Sequence, residues 1–330
     1  MKSFVRIPAL IAAGLLTAHC AAVTLQPVQT SCANDRLSVA EQIAACHTSL
    51  KRAGDTGLSR APIYRALGFL HHQKRDYDRA IAEYSNALIF DPDHAQTYYN
   101  RGTAYVRKHL YRRAISDFNQ SIILNPDYAG AFNNRGFAYH RVGDFDRAIA
   151  DYDKAIDLNP DYPKAYNNRG IVYGKKRQYD RAIVDYDRAI ELQPDYASAY
   201  NNRGIAYRGK ANYDRALSDY DKAIALKSGF PNAHFNRANA FRRLGKFDKA
   251  IASYAEAVKL KPDFARAHAG LGIVLATTGR LREALNSLDQ ALRLQPDYAL
   301  VEQLRKRVIK LLGQEVRNNT FPIEKFIIAA

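Results

Sequence analysis

Proline stands at Pro92, Pro126, Pro160 and Pro194, and again at Pro262 and Pro296, always in steps of 34 residues, with Ser228 in the one slot left over. That period limits the fold more than the 330-residue total does. Self-similarity at about 20–50 residues builds an elongated array in which each unit packs on its neighbours. Counting back 31 residues from each slot divides residues 61–298 into seven units.

Each unit reads as two helices and a closing turn. In the fourth, residues 163–196, "KAYNNRGIVYG" is the first helix, "YDRAIVDYDRAIEL" the second and "QPDY" the close. Apolar residues three and four apart make each helix one-sided, and a single hairpin cannot bury its own stripe. Proline halts the second helix because it has no N–H to continue the ladder. The Asp of "PDY" is expected to cap the next helix.

Numbered from 1 to 34, the units carry an aromatic at position 4 (Tyr64, Tyr98, Phe132, Tyr166, Tyr200) and a small residue at position 8 (Gly68, Gly102, Gly136, Gly170, Gly204, Ala238, Gly272). Position 20 is alanine in every unit, from Ala80 to Ala284, and position 27 is Ala87, Ser121, Ala155, Ala189, Ala223, Ala257 and Ala291. On these residues the chain resembles the tetratricopeptide repeat (TPR) family over 238 of its 330 residues. The resemblance implies an all-α solenoid, a right-handed superhelix whose first helices line a concave groove.

The two ends read differently. Lys2 and Arg6 flank "IPALIAAGLLTA", too short to span a bilayer and followed by the small residues of "CAA", so residues 1–22 read as a signal peptide. Cleavage after Ala22 leaves a periplasmic protein of net charge +14 instead of +16. The alternative is a lipoprotein anchored at Cys20, the one route to a membrane, although His19 stands where a lipobox carries Gly or Ala. Residues 23–60 are expected to form an N-terminal cap. In an exported chain Cys32 and Cys46 are an even pair, expected to join in a disulfide. His47 alone does not complete a zinc site, and no metal or other cofactor is expected. Residues 299–330 begin with "LVEQLRKRVIKLLGQEV", a capping helix for the last repeat, and end in an apolar tail.

In the family, positions 2, 5, 6, 9, 12 and 13 tend to face the groove. Position 6 is Asn100, Asn134, Asn168, Asn202 and Asn236, and position 5 is Asn133, Asn167 and Asn201. A row of amides resembles the one in TPR superhelices that hold an extended peptide by its backbone, since an amide both donates and accepts. The alternative is that these side chains bond neighbouring helices. Arg107, Arg141, Lys175, Arg208, Arg242 and Arg243 at positions 12 and 13 make the same wall positive, fit for an acidic segment.

Position 7, leucine in the family core, is Arg101, Arg135, Arg169 and Arg203, in units that carry Asp117, Asp151, Asp185 and Asp219 at position 23. Where Leu67 and Leu271 replace the arginine, Glu83 and Ser287 replace the aspartate. This joint change predicts structural ion pairs between the helices of a unit. Arg237, opposite Ser253, is expected to be free.

The chain has no HExxH, no GxxxxGK and no GxSxG. It reads as a non-enzymatic scaffold that takes a protein or peptide partner and no small-molecule substrate. A basic groove for an anionic polymer (nucleic acid, envelope polysaccharide or lipid head groups) is the second reading. Export and the placing of most of the 22 tyrosines at core positions count against nucleic acid.

Overall fold

The structure is a computed structural model that describes residues 32, 34, 36–53 and 57–318. Residues 1–22, read above as a signal peptide, with Cys20, and the tail beyond residue 318 lie outside the described residues. Among those, sixteen helices follow one another and no strand occurs. The chain divides into two compact units, Met1–Asp93 and His94–Ala330.

In the first unit, Ser38 opens α1 (Val39–Arg52) with a reciprocal cap: its hydroxyl accepts from the Glu41 N–H, and Glu41 accepts from the Ser38 N–H. α1 packs on α2 (Gly57–Gln73) around Cys46, Ile63, Leu67 and Leu70, and Cys32 joins that core. The Cα atoms of Cys32 and Cys46 are 4.8 Å apart. α3 (Tyr77–Phe90) closes the first helix pair, with its Tyr84 ring laid on Gly68. Arg65 is tied to Asp91 at 2.7 Å.

In the second unit the pairs are α4 (Ala95–Arg107) with α5 (Tyr111–Leu124), α6 (Ala129–Arg141) with α7 (Phe145–Leu158), and α8 (Pro163–Lys175) with α9 (Tyr179–Leu192). They continue as α10 (Ala197–Gly209) with α11 (Tyr213–Leu226), α12 (Pro231–Arg243) with α13 (Phe247–Leu260), and α14 (Ala265–Thr277) with α15 (Leu281–Leu294). α16 (Ala299–Asn318) then repeats the place of a first helix and buries Val301 and Val308 against Leu281, Ala284 and Leu288 of the last pair.

The close of each repeat departs from expectation. Where helices follow the PDY turns and the one PDF turn, the N-cap is Tyr128, Tyr162, Tyr196 or Phe264, without a side-chain cap bond, and no Asp caps them. Asn125 and Asn159 instead accept the N–H groups of Asp127 and Asp161 inside the turn. Side-chain caps fall on second helices, at Asp76, Asp144 and Asn212, and on one first helix, where His94 Nδ1 accepts from the Thr97 N–H.

First helices of successive repeats touch one another throughout the second unit, α4 on α6, α6 on α8 and onward to α14 on α16. Among the described residues of the second unit no two second helices meet. Helices that crowd on one side and splay on the other make a curved stack, so the first helices form the inner wall of the second unit.

Candidate functional site

The asparagines of the inner wall join one repeat to the next. Asn236 Nδ2 donates to Asn201 Oδ1 at 2.9 Å, Asn201 Nδ2 to Asn202 Oδ1 at 3.3 Å, and Asn202 Nδ2 to Asn167 Oδ1 at 3.0 Å. A second run links Asn168 to Asn133 at 3.0 Å, Asn133 to Asn134 at 3.0 Å, and Asn134 to Tyr99 Oη at 3.1 Å. Every one of these amide links across repeats runs from position 6 to the repeat before, to position 5 and, from Asn134, also to Thr103 at 3.5 Å. At the start of the row, Gln96 Nε2 donates to Asn100 Oδ1 at 2.9 Å.

The expectation for position 5 needs correction. Asn133, Asn167 and Asn201 are only 4%, 5% and 5% exposed, and their oxygens are taken by the following repeat. These amides hold helices together and do not offer themselves to a ligand. The position-6 amides of Asn100, Asn134, Asn168 and Asn202 are half-buried, and Asn236 is buried. A primary amide has two N–H groups and two lone pairs. Asn134, Asn168 and Asn202 therefore keep hydrogen-bonding capacity after the inter-repeat bond.

Along the same helices Arg107, Arg141, Lys175 and Arg243 are exposed, and Arg208 and Arg242 are half-buried. The Arg141 guanidinium lies 4.7 Å from the Tyr111 ring centroid and 5.8 Å from that of Phe137, which fixes a cation at the wall. Beside it, His140 is held below the ordinary imidazole value by burial and by the charges of Lys175 and Arg141.

Position 7 is a three-way joint. Arg169 Nε and Nη2 meet Asp185 at 2.9 and 2.6 Å, a bidentate pair across the helix hairpin. Its Nη1 reaches Asp153, on the second helix of the preceding repeat, at 2.6 Å. Arg135 repeats this with Asp151 and Asn119, and Arg203 with Asp219 and Asp187. Arg101 holds Asp117 at 2.8 Å through Nε and Nη2. Arg237, expected to be free, is not: it donates to Asp221 at 2.7 Å and to Ser253 at 3.2 Å. Burial pushes the Asp219 carboxyl up while the Arg203 hydrogen bonds pull it down, and the bond to Asp219 raises Arg203.

Sequence reading missed position 25, the partner in the preceding repeat, although Asp153, Asp187, Asp221 and Asp289 recur there. Arg305 of α16 bonds Asp289 in the same register. Two concavities, about 490 and 550 Å³, lie at these joints, lined by Asp187, Arg203 and Asp219 or by Asp153, Arg169 and Asp185. Their charges already satisfy each other, so the inner wall is the better candidate. Among the described residues no cluster of His, Cys, Asp and Glu is placed to hold a metal ion, and no helix is long and apolar enough to cross a membrane.

Models of the tetratricopeptide repeat and TPR repeat match residues 68–108, 95–128, 118–150, 142–177, 163–196, 197–230 and 235–299. The chain belongs to the tetratricopeptide repeat family. Among solved structures it is similar to the APC/C hetero-tetramer Cut9-Hcn1, at 18% identity over 83% of this chain and 53% of that one, with a TM-score of 0.64. It is also similar to a tetratricopeptide repeat protein from Parabacteroides merdae ATCC 43184 (18% identity, 76% and 99% covered, TM-score 0.61) and to Pseudomonas aeruginosa pilF (18%, 64% and 97%, TM-score 0.57). At that identity the likeness speaks for the fold alone. No curated protein sequence matches the chain.

Proposed function

We propose that this chain is a non-enzymatic scaffold of the cell envelope that holds an extended, acidic segment of a partner protein along the inner wall of its second unit. The observation that carries this is the row of half-buried position-6 amides, all turned the same way, beside exposed cations. Each amide bond to a peptide contributes only about 1 kcal/mol net, so the row works by summing several. Arg107, Arg141 and Lys175 supply the preference for acidic residues. Membership of a repeat family that presents stacked helices supports the scaffold part of the reading.

Export to the periplasm, with lipid attachment at Cys20 as the other route, belongs to the same proposal. The 4.8 Å between the Cα atoms of Cys32 and Cys46 is within the usual span of a disulfide and supports one there.

Arg107→Ser, Arg141→Ser and Lys175→Ser combined test the wall, because these exposed side chains make no hydrogen bond between repeats that Asn→Ala would break. Capture of the partner from an envelope extract should fall at least tenfold while the helical circular dichroism stays as it was. Undiminished capture contradicts the proposal. Capture that declines linearly in log salt with a steep slope would favour an anionic polymer as the ligand.

A further inference from the structure

The turn between the two helices of a repeat carries the charge of the second unit. In residues 107–113, 141–147, 175–181, 209–215, 243–249 and 277–283 there are 17 basic and 6 acidic residues. The six opposite turns, residues 124–130, 158–164, 192–198, 226–232, 260–266 and 294–300, hold 4 basic and 5 acidic. Successive turns lie side by side: Lys176 bonds Asp146 of the turn before it at 2.6 Å, and Lys210 bonds Asp180. The basic turns therefore form one continuous edge.

The same turns share one backbone feature. The fifteenth residue of each repeat sits in the left-handed region, which glycine fills at Gly143, Gly245 and Gly279. His109 (φ 61°), Arg177 (φ 59°) and Ala211 (φ 58°) occupy it in other repeats of the second unit, and Arg75 (φ 60°) in the first unit. A side chain there is strained, and at Arg177 it carries a cation out of the turn. The same tips expose apolar Leu110, Val142 and Leu244 beside Arg112, Arg113 and Lys246, cations outside the inner-wall set.

We propose that this edge docks on a membrane surface rich in anionic phospholipid. A row of cations with short apolar side chains between them fits the headgroup layer, where charge attracts and the apolar tips bury shallowly. A soluble polyanion would give those apolar tips nothing to enter. Docked by its edge, the second unit leaves its inner wall open, so the two surfaces serve different ligands.

The test compares the full chain with Arg112→Ser/Arg177→Gly/Lys246→Ser, three positions outside the groove set. Both are sedimented with vesicles of phosphatidylglycerol and phosphatidylethanolamine or of phosphatidylcholine alone. Since the apolar N-terminal stretch is common to both proteins, the difference between them is the readout. The parent should bind the anionic vesicles and release them at high salt. The variant should bind about a hundredfold more weakly, about fivefold for each cation removed. Its Tm should be no lower, because Arg177→Gly relieves a left-handed position. Equal binding by parent and variant overturns the proposal. So does a parent that binds heparin but not anionic vesicles, or a loss of vesicle binding seen with the Arg107/Arg141/Lys175 variant alone.

Discussion

Arg169 shows how a charged residue lives where the family places leucine. Its side chain is 19% exposed and that of Asp185 5%, so removing one partner strands a desolvated charge. Breaking a buried pair costs about 3–5 kcal/mol and a wet one about 0–1. Because Arg169 keeps Asp153, Asp185→Ala should cost about 2 kcal/mol in urea unfolding. The double change Arg169→Leu/Asp185→Ala should return to within about 1 kcal/mol of the parent, since an apolar isostere needs no partner. A double variant as unstable as the single one would contradict the joint. A second expectation concerns acid. His71, His140 and His234 are each held low, first of all by burial, and stay neutral in the folded chain. The unfolded chain takes up protons as pH falls below about 6.5, so stability contributed by these groups is complete above that value and declines beneath it. Replacing all three by Gln should flatten the loss of unfolding free energy between about pH 6.5 and pH 5. The contact of positions 7 and 23 is legible in the sequence because both change together. The third partner hides because position 25 varies among Ser, Asn, Asp and Ala and belongs to another repeat.

At the scale of the helix pair, one exchange explains where the amide row stops. In the first five repeats, with glycine at position 8, the ring at position 24 packs on it; a Cβ on Gly170 would come 2.7 Å from Tyr186 Cε1. The sixth repeat has Ala238 instead, and its Tyr254 leans toward the next repeat, its hydroxyl donating to Asn239 at 2.8 Å. There the ring meets Gly270, where a Cβ would lie 2.6 Å from Cε1 and Cζ. Gly270 fills position 6, so the place of a sixth asparagine is given up to an aromatic ring. Gly270→Ala should lower stability by about 1–3 kcal/mol through overpacking. Gly229→Ala, where an added Cβ meets nothing within 4 Å, should change it by less than about 0.5 kcal/mol. Equal effects would remove this account. Helix existence and order follow from the proline period and the apolar spacing. Cap chemistry does not, because Asp127 and Asp161 each lie one residue before the N-cap that "PDY" suggests, and local turn geometry decides which side chain reaches an N–H.

For the molecule as a whole, a 34-residue step turns single choices into rows: amides within the inner wall, Arg–Asp joints between second helices, and cations along the turn edge. Sequence periodicity makes the rows readable. It does not say which side of a helix a row occupies, and that is why Asn133, Asn167 and Asn201 read as ligand contacts while the fold buries them between repeats. The most direct test of the inner wall as binding surface is site-specific photo-crosslinking in cells. The crosslinker replaces Lys164 or Lys175 on a first helix and, for comparison, Lys154 or Lys222, exposed on second helices. One partner should be trapped from the first-helix positions and not from the second-helix ones. A partner trapped from Lys154 or Lys222 alone would contradict the account.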